Sequence, residues 1–246
     1  MILVNRMELT FLEYHTKMKI KRFFRKPVVT YAFLFIQILA FILMTLDGGS
    51  TNTATLVKYG AKFNPYILFG EWWRLITPIF LHIGFMHLLM NSVTLYYLGE
   101  QLESVFGHLR FAGIYLLSGI AGNLASFAFS DSISAGASTS LFGLFGTAIM
   151  LGQTFKNNPV IQQIAKSFGT LIIINIVFGV FSSSIDMAGH LGGLAGGFLI
   201  AHAISVPNPM KHWRKKRIIY GSLFVVIIII LALIGYLSAS TAIFGL

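Results

Sequence analysis

Ser138, His190, Asn91, His87 and His82 stand in stretches otherwise almost free of charge. A serine hydroxyl becomes a nucleophile only when a neighbouring base takes its proton, and an imidazole is the usual base. Ser138 and His190 therefore form a candidate dyad. An acyl-transfer centre also needs donors aimed at the developing oxyanion. Asn91 offers an amide and His87 a ring N–H, and residues four apart share one face of a helix. The backbone N–H of Ser138, in the unsatisfied first turn of its helix, is a third donor. His82 lies five before His87, about 140° further round a helix, and is expected to hold the outer loop. Asp186, one turn before His190, could orient the imidazole as a third member or cap that helix, and capping is the role expected.

Other chemistries lack their residues. The 246-residue chain has no cysteine, which removes thiol nucleophiles, Cys-ligated zinc and iron–sulfur clusters. His82 and His87 are poorly aligned for one metal. There is no H-E-x-x-H zinc motif and no G-x-G-D carboxylate motif of an aspartyl intramembrane protease. No cofactor and no metal are expected.

The elements that must position these residues are membrane helices. Hydrophobic residues make up 56% and charged residues 11% of the chain, with mean hydropathy +0.78, against about 25% charged in soluble domains. A helix needs about 20 apolar residues to cross the hydrocarbon core. Seven stretches qualify: 28–46, 78–99, 111–130, 132–155, 167–185, 187–206 and one within 218–246. They lack the period-2 alternation of barrel strands. The expected fold class is all-α, a polytopic bundle.

Charge sets the orientation. Of the 18 Lys and Arg, only Lys58, Lys62 and Arg74 fall on the side opposite the basic N-terminal segment. The positive-inside rule puts that segment in the cytoplasm, and seven spans then leave the C-terminus outside. The net charge of +10 follows from basic residues at helix ends, facing anionic lipid, so no nucleic-acid partner is expected. Residues 1–27 read as a basic cytoplasmic tail, 28–206 as a six-helix core, and 207–246 as a basic inner loop with a seventh helix. The long connection from residue 47 to 78 is rich in apolar and aromatic side chains. It is expected to be ordered and partly embedded in the outer leaflet, with Trp72 and Trp73 as an interfacial belt.

On this topology the polar residues of the second, fourth and sixth helices lie at one depth, near the outer face. Polar groups inside a membrane are costly and mark function. Gly189, Gly193 and Gly197 repeat every four residues beside His190, the spacing of close helix contacts. Phe142, one turn inward of Ser138, is placed to stack on the imidazole.

These residues resemble the rhomboid intramembrane serine proteases. Trp73-Arg74 resembles the Trp-Arg signature of the first outer loop. His82-x4-His87-x3-Asn91 matches the second-helix pattern, Gly136-Ala137-Ser138 the G-x-S motif, and His190-x2-Gly193-x3-Gly197 the sixth-helix pattern. Thr139 and Gly189 depart from the family's usual Gly after the serine and Ala before the histidine, and both leave the dyad intact. The resemblance implies a six-helix rhomboid bundle, here with a seventh helix, and a water-filled cavity open to the outside. Ser138 would be nucleophile, His190 base, and Asn91 and His87 oxyanion donors. The expected function is an intramembrane serine endopeptidase of the cell membrane, with a bacterial plasma membrane the expected setting. Its partners would be transmembrane protein substrates and membrane lipids, with the fifth helix and the cavity-capping loop as gate. A transporter would instead show internal repeats and polar residues on both sides of the midplane. A rhomboid-like chaperone without activity would lack an intact Ser138–His190 pair.

Overall fold

A computed structural model describes residues 26–180, 185–207 and 213–245. Residues 1–25 of the expected tail, 181–184 of the expected fifth span and 208–212 of the expected basic loop lie outside the described residues. Among the described residues all regular structure is helical, apart from one isolated bridge between Lys62 and Ser134.

Helix α1 spans Val28–Leu46. It begins after Pro27, and the buried Glu103 carboxylate closes its N-terminus. Glu103 accepts from Val29 N (2.9 Å), Thr30 N (2.8 Å) and Thr30 Oγ1 (2.7 Å). An anion at the free N–H groups of a first turn satisfies both the donors and the dipole. The same carboxylate meets His108, so one acid ties together the neighbouring ends of three long helices.

The long connection is ordered, as expected. It contains helix α2, Thr53–Lys58, helix α3, Asn64–Leu68, and two 3-10 turns, Trp72–Leu75 and Thr77–Phe80. Arg74 holds it: its guanidinium donates to Glu71 Oε2 (2.6 Å), Val57 O (2.8 Å) and Ala61 O (3.0 Å), and lies over the Tyr66 ring. Trp72 and Trp73 are both exposed.

Helix α4 is Phe85–Phe106 and α5 is His108–Phe129, separated by Gly107 alone. Helix α6 is Ser138–Thr154, α7 is Pro159–Val180, α8 is Met187–Ile204 and α9 is Trp213–Phe244. By length and composition α1, α5, α8 and α9 can each cross a membrane. Three starts differ from the expected spans by six residues or more. The second long helix begins at Phe85, because residues 77–80 form a 3-10 turn and Gly84 takes φ +80°. His82 therefore precedes the helix and does not sit on its flank. The fourth begins at Ser138, after an extended lead-in that carries Gly136 at φ +154°. The fifth long helix, α7, begins at Pro159 and not at 167, because the helix continues through Lys166, the charge that bounds the apolar stretch.

The core is built on α5, α6 and α8, which pack against one another. Their contact is close because glycine backbones meet. A Cβ on Gly197 would lie 2.0 Å from Gly143 O, one on Gly193 2.1 Å from Thr139 O, and one on Gly146 2.1 Å from Leu194 O. Helix α9 seats on α5 and α8, with the Phe127 ring against Gly235. At 32 residues it is about 48 Å long, more than the hydrocarbon core needs, so its basic first turn reaches beyond that core.

Candidate functional site

Ser138 is the first residue of α6, after Ala137. Its N–H thus falls among the first-turn donors that have no partner within the helix. Asp186 caps α8: one carboxylate oxygen accepts from Gly189 N at 2.9 Å and the other from the Ser126 hydroxyl. With both oxygens engaged, Asp186 serves the start of α8.

The glycine contacts bring α6 and α8 together at the level of Ser138 and His190. A Cβ on Gly189 would meet Thr139 Cγ2 at 3.2 Å, so the backbone before His190 lies beside the residue after Ser138. The His190 ring lies flat on Phe142, with centroids 4.1 Å apart and planes at 15°. Phe142 is one turn inward of Ser138, so the imidazole sits on the serine's side of α6. His190 Nδ1 is buried without a partner. Among the described residues no hydrogen bond joins Ser138 to His190; what they share is a wall. Catalytic hydrogen bonds are commonly long without substrate and tighten in the complex.

His87, in the first turn of α4, borders the serine. A Cβ on Gly136 would lie 2.6 Å from His87 Cε1, 2.9 Å from His87 Nε2 and 3.5 Å from Ser138 Oγ. The His87 ring and the serine oxygen therefore border one point, and only a residue without a side chain leaves it open. Asn91, one turn along α4, is buried, and its Nδ2 has no acceptor. A buried amide donor without a partner costs about 1–3 kcal/mol, and it is available to an oxyanion. His82 is fully buried. Its ring packs edge-on to His87 with centroids 5.3 Å apart, and its Nε2 accepts from Ala137 N at 3.4 Å. It thus touches both His87 and Ala137, the residue before the serine.

Trp73 and Arg74 lie in the 3-10 turn Trp72–Leu75, where Arg74 braces the connection between α1 and α4 through Glu71, Val57 and Ala61. Gly189, Gly193 and Gly197 all line the α6–α8 contact.

Sequence reasoning passed over several polar residues around the site. Asn123 Nδ2 donates to Leu75 O (2.9 Å) and fixes the first 3-10 turn to α5. Asn64 Nδ2 donates to Ser130 O (3.1 Å) and Asp131 Oδ1 (3.2 Å). Lys62, counted as an outer-surface charge, is fully buried. The signal was a lysine flanked by Ala61 and Phe63 in an apolar loop; charge counting treats every lysine as solvated.

The bundle thus sets a serine and a histidine on neighbouring helices at one end of the α6–α8 contact. The Rhomboid domain matches residues 69–207, more than half of the chain, and the chain belongs to the rhomboid family. It is 47% identical over 183 residues to the rhomboid protease GluP of Bacillus subtilis (strain 168), covering 74% of this chain and 36% of GluP. It is 37% identical over 177 residues to the putative rhomboid protease YdcA of the same organism, covering 71% of this chain and 87% of YdcA. RHOMBOID-like protein 5 of Arabidopsis thaliana is 34% identical over 208 residues, covering 76% of this chain and 66% of that protein. The chain thus spans about a third of GluP and most of YdcA.

Proposed function

We propose that the chain is an intramembrane serine endopeptidase that cuts transmembrane segments of membrane proteins near the outer face of the bilayer. Ser138 is the nucleophile and His190 the base. The observation that carries this reading is the shared wall: the His190 ring stacked on Phe142, one turn from a half-buried serine whose oxygen borders the same point as the His87 ring.

Ser138 Oγ attacks the scissile carbonyl carbon while His190 takes the hydroxyl proton. The carbonyl oxygen becomes an oxyanion. Asn91 Nδ2, the His87 ring N–H and the Ser138 backbone N–H are the donors that receive it, each contributing about 2.7–4 kcal/mol where such a donor is pre-aimed. His190 returns the proton to the leaving amine, the C–N bond breaks, and an ester to Ser138 remains. Water, deprotonated by His190, then attacks the ester carbonyl and restores the hydroxyl. Asp186, held by Gly189 N and Ser126, leaves this a dyad. Water is the scarce reactant in a bilayer, and a centre just below one face admits it where one at the midplane would be dry.

Six helices form the core, α1 and α4 to α8, with α9 a seventh span. The excess of Lys and Arg on one side puts the N-terminus in the cytoplasm and the C-terminus outside, in a bacterial plasma membrane. The reading is tested with purified protein in liposomes and a single-span substrate. Wild type yields two fragments cut near the outer end of the span, and His190→Ala yields none. Binding of the substrate without fragments from wild type would favour a helix-binding chaperone instead.

A further inference from the structure

Lys62 is 0% exposed and among the largest fully buried side chains of the described residues. Its Nζ donates to Ser130 O at 2.5 Å and to Ser132 O at 2.9 Å. Its backbone pairs with Ser134 in both directions, N–H to O at 2.9 Å and O from N–H at 3.1 Å. Those three serines lie in the connection between α5 and α6, the stretch that leads into Ser138. Further on, the same stretch is held by Gly136 N donating to Pro78 O (2.9 Å) and by Ala137 N donating to His82 Nε2. Every one of these anchors comes from the outer loop and its continuation to His82. Lys62 supplies four of them, two from its side chain and two from its backbone.

A buried ammonium is a costly way to fill space. Taking a charge out of water costs several kcal/mol unless its hydrogen bonds are replaced, and methionine would occupy the same volume at no such cost. Burial pushes the Lys62 ammonium down to about 8, although Asp186 and Asp131 lie close enough to pull it up. Asp186 caps the helix that carries His190.

We propose that Lys62 is a positioning residue for acyl transfer: by clamping the Ser130 and Ser132 carbonyls it sets the register of the lead-in that delivers Gly136 and Ser138 to His87 and His190. This rests on Ser138 being the nucleophile. A displacement of about 1 Å at a reacting atom can cost roughly 100-fold in rate, and a single loosened anchor in a short extended lead-in can produce it.

The test is active-site titration of the full-length protein with a fluorophosphonate, reading rate and endpoint separately, alongside kcat and KM on a transmembrane substrate. Lys62→Met is expected to reach the wild-type endpoint roughly tenfold or more slowly, with kcat falling in parallel and KM within about twofold. Lys62→Arg keeps the charge but not the single-ammonium geometry, and is expected to fall between the two. A wild-type labelling rate in Lys62→Met overturns the proposal. So does a reduced endpoint whose remaining fraction labels at the wild-type rate, because that is a fold defect alone. If Lys62→Met yields no folded protein, Lys62→Arg decides: full endpoint with a rate lowered about threefold or more supports the clamp, and a wild-type rate overturns it. Labelling of a Ser138→Ala control would overturn the nucleophile and the proposal together. A normal Lys62→Met rate beside an inert Ser138→Ala overturns the proposal alone.

Discussion

The His190 imidazole lies parallel to the Phe142 ring, 4.1 Å between centroids and 15° between planes. Since Phe142 follows Ser138 by one helical turn, this stack sets both the depth and the face at which the imidazole is held. A ring lying on a ring can slide little without losing contact, so the orientation of the imidazole is set by α6, the helix that carries the serine.

Phe142→Leu keeps most of the volume but removes the flat support. Stability is expected to fall by less than about 1.5 kcal/mol, whereas kcat falls roughly tenfold through a loosened base. Thermal unfolding and turnover, measured on the same preparation, separate the two effects. Equal kcat would show that the ring only fills space.

The α6–α8 contact predicts a contrast between two glycines. Gly197→Ala places a Cβ about where Gly143 O now lies, 2.0 Å away. The helices must part, at a cost of about 1–3 kcal/mol, and the site opens with them. Gly169→Ala on α7 meets nothing within 4 Å and is expected to stabilise by about 0.4–1 kcal/mol. The thermal midpoints of the two variants should move in opposite directions.

Glu103→Gln tests the carboxylate brace between α1, α4 and α5. The neutral amide cannot accept both α1 N–H groups and the Thr30 hydroxyl as a charged carboxylate does. The loss is expected to be about 1.5–3 kcal/mol, seen as a lower thermal midpoint. The labelling rate of the remaining folded protein should be unchanged, because the brace lies at the opposite end of the bundle from Ser138.

Lys62 gives a pH signature. Its ammonium, lowered from 10.5 to about 8 by burial, loses its proton in the folded protein while the unfolded chain still holds one. Where the unfolded state binds more protons, stability rises with pH. The contribution of Lys62 should therefore increase as pH climbs from about 8 to about 10.5. The neutral amine still has two N–H donors for its two carbonyls. Lys62→Met should flatten that segment of the stability curve, and an unchanged slope would contradict the lowered value.

How far the sequence reveals the molecule differs from residue to residue. The start of α8 is legible because Asp186 is a good N-cap directly before an apolar run, and the glycine spacing behind it has one use, close packing. The start of α4 is not. Residues 78–84 are as apolar as a helix, and hydropathy reports solvent preference, not backbone conformation, so the 3-10 turn and Gly84 were invisible and His82 was assigned to a helix flank. Ser138 and His190 are legible through their chemistry and their depth. The Lys62 clamp is not, because its carbonyl partners are backbone atoms some 70 residues away in sequence, and no residue type announces them.

The most direct measurement is covalent labelling by a fluorophosphonate, with the modified residue located by mass spectrometry. Wild type should take one label per chain, on Ser138. Ser138→Ala should take none, and His190→Ala should label slower by roughly 100-fold or more. A label of wild-type stoichiometry on Ser138→Ala, or on another residue of the wild type, would contradict a nucleophile at the head of α6.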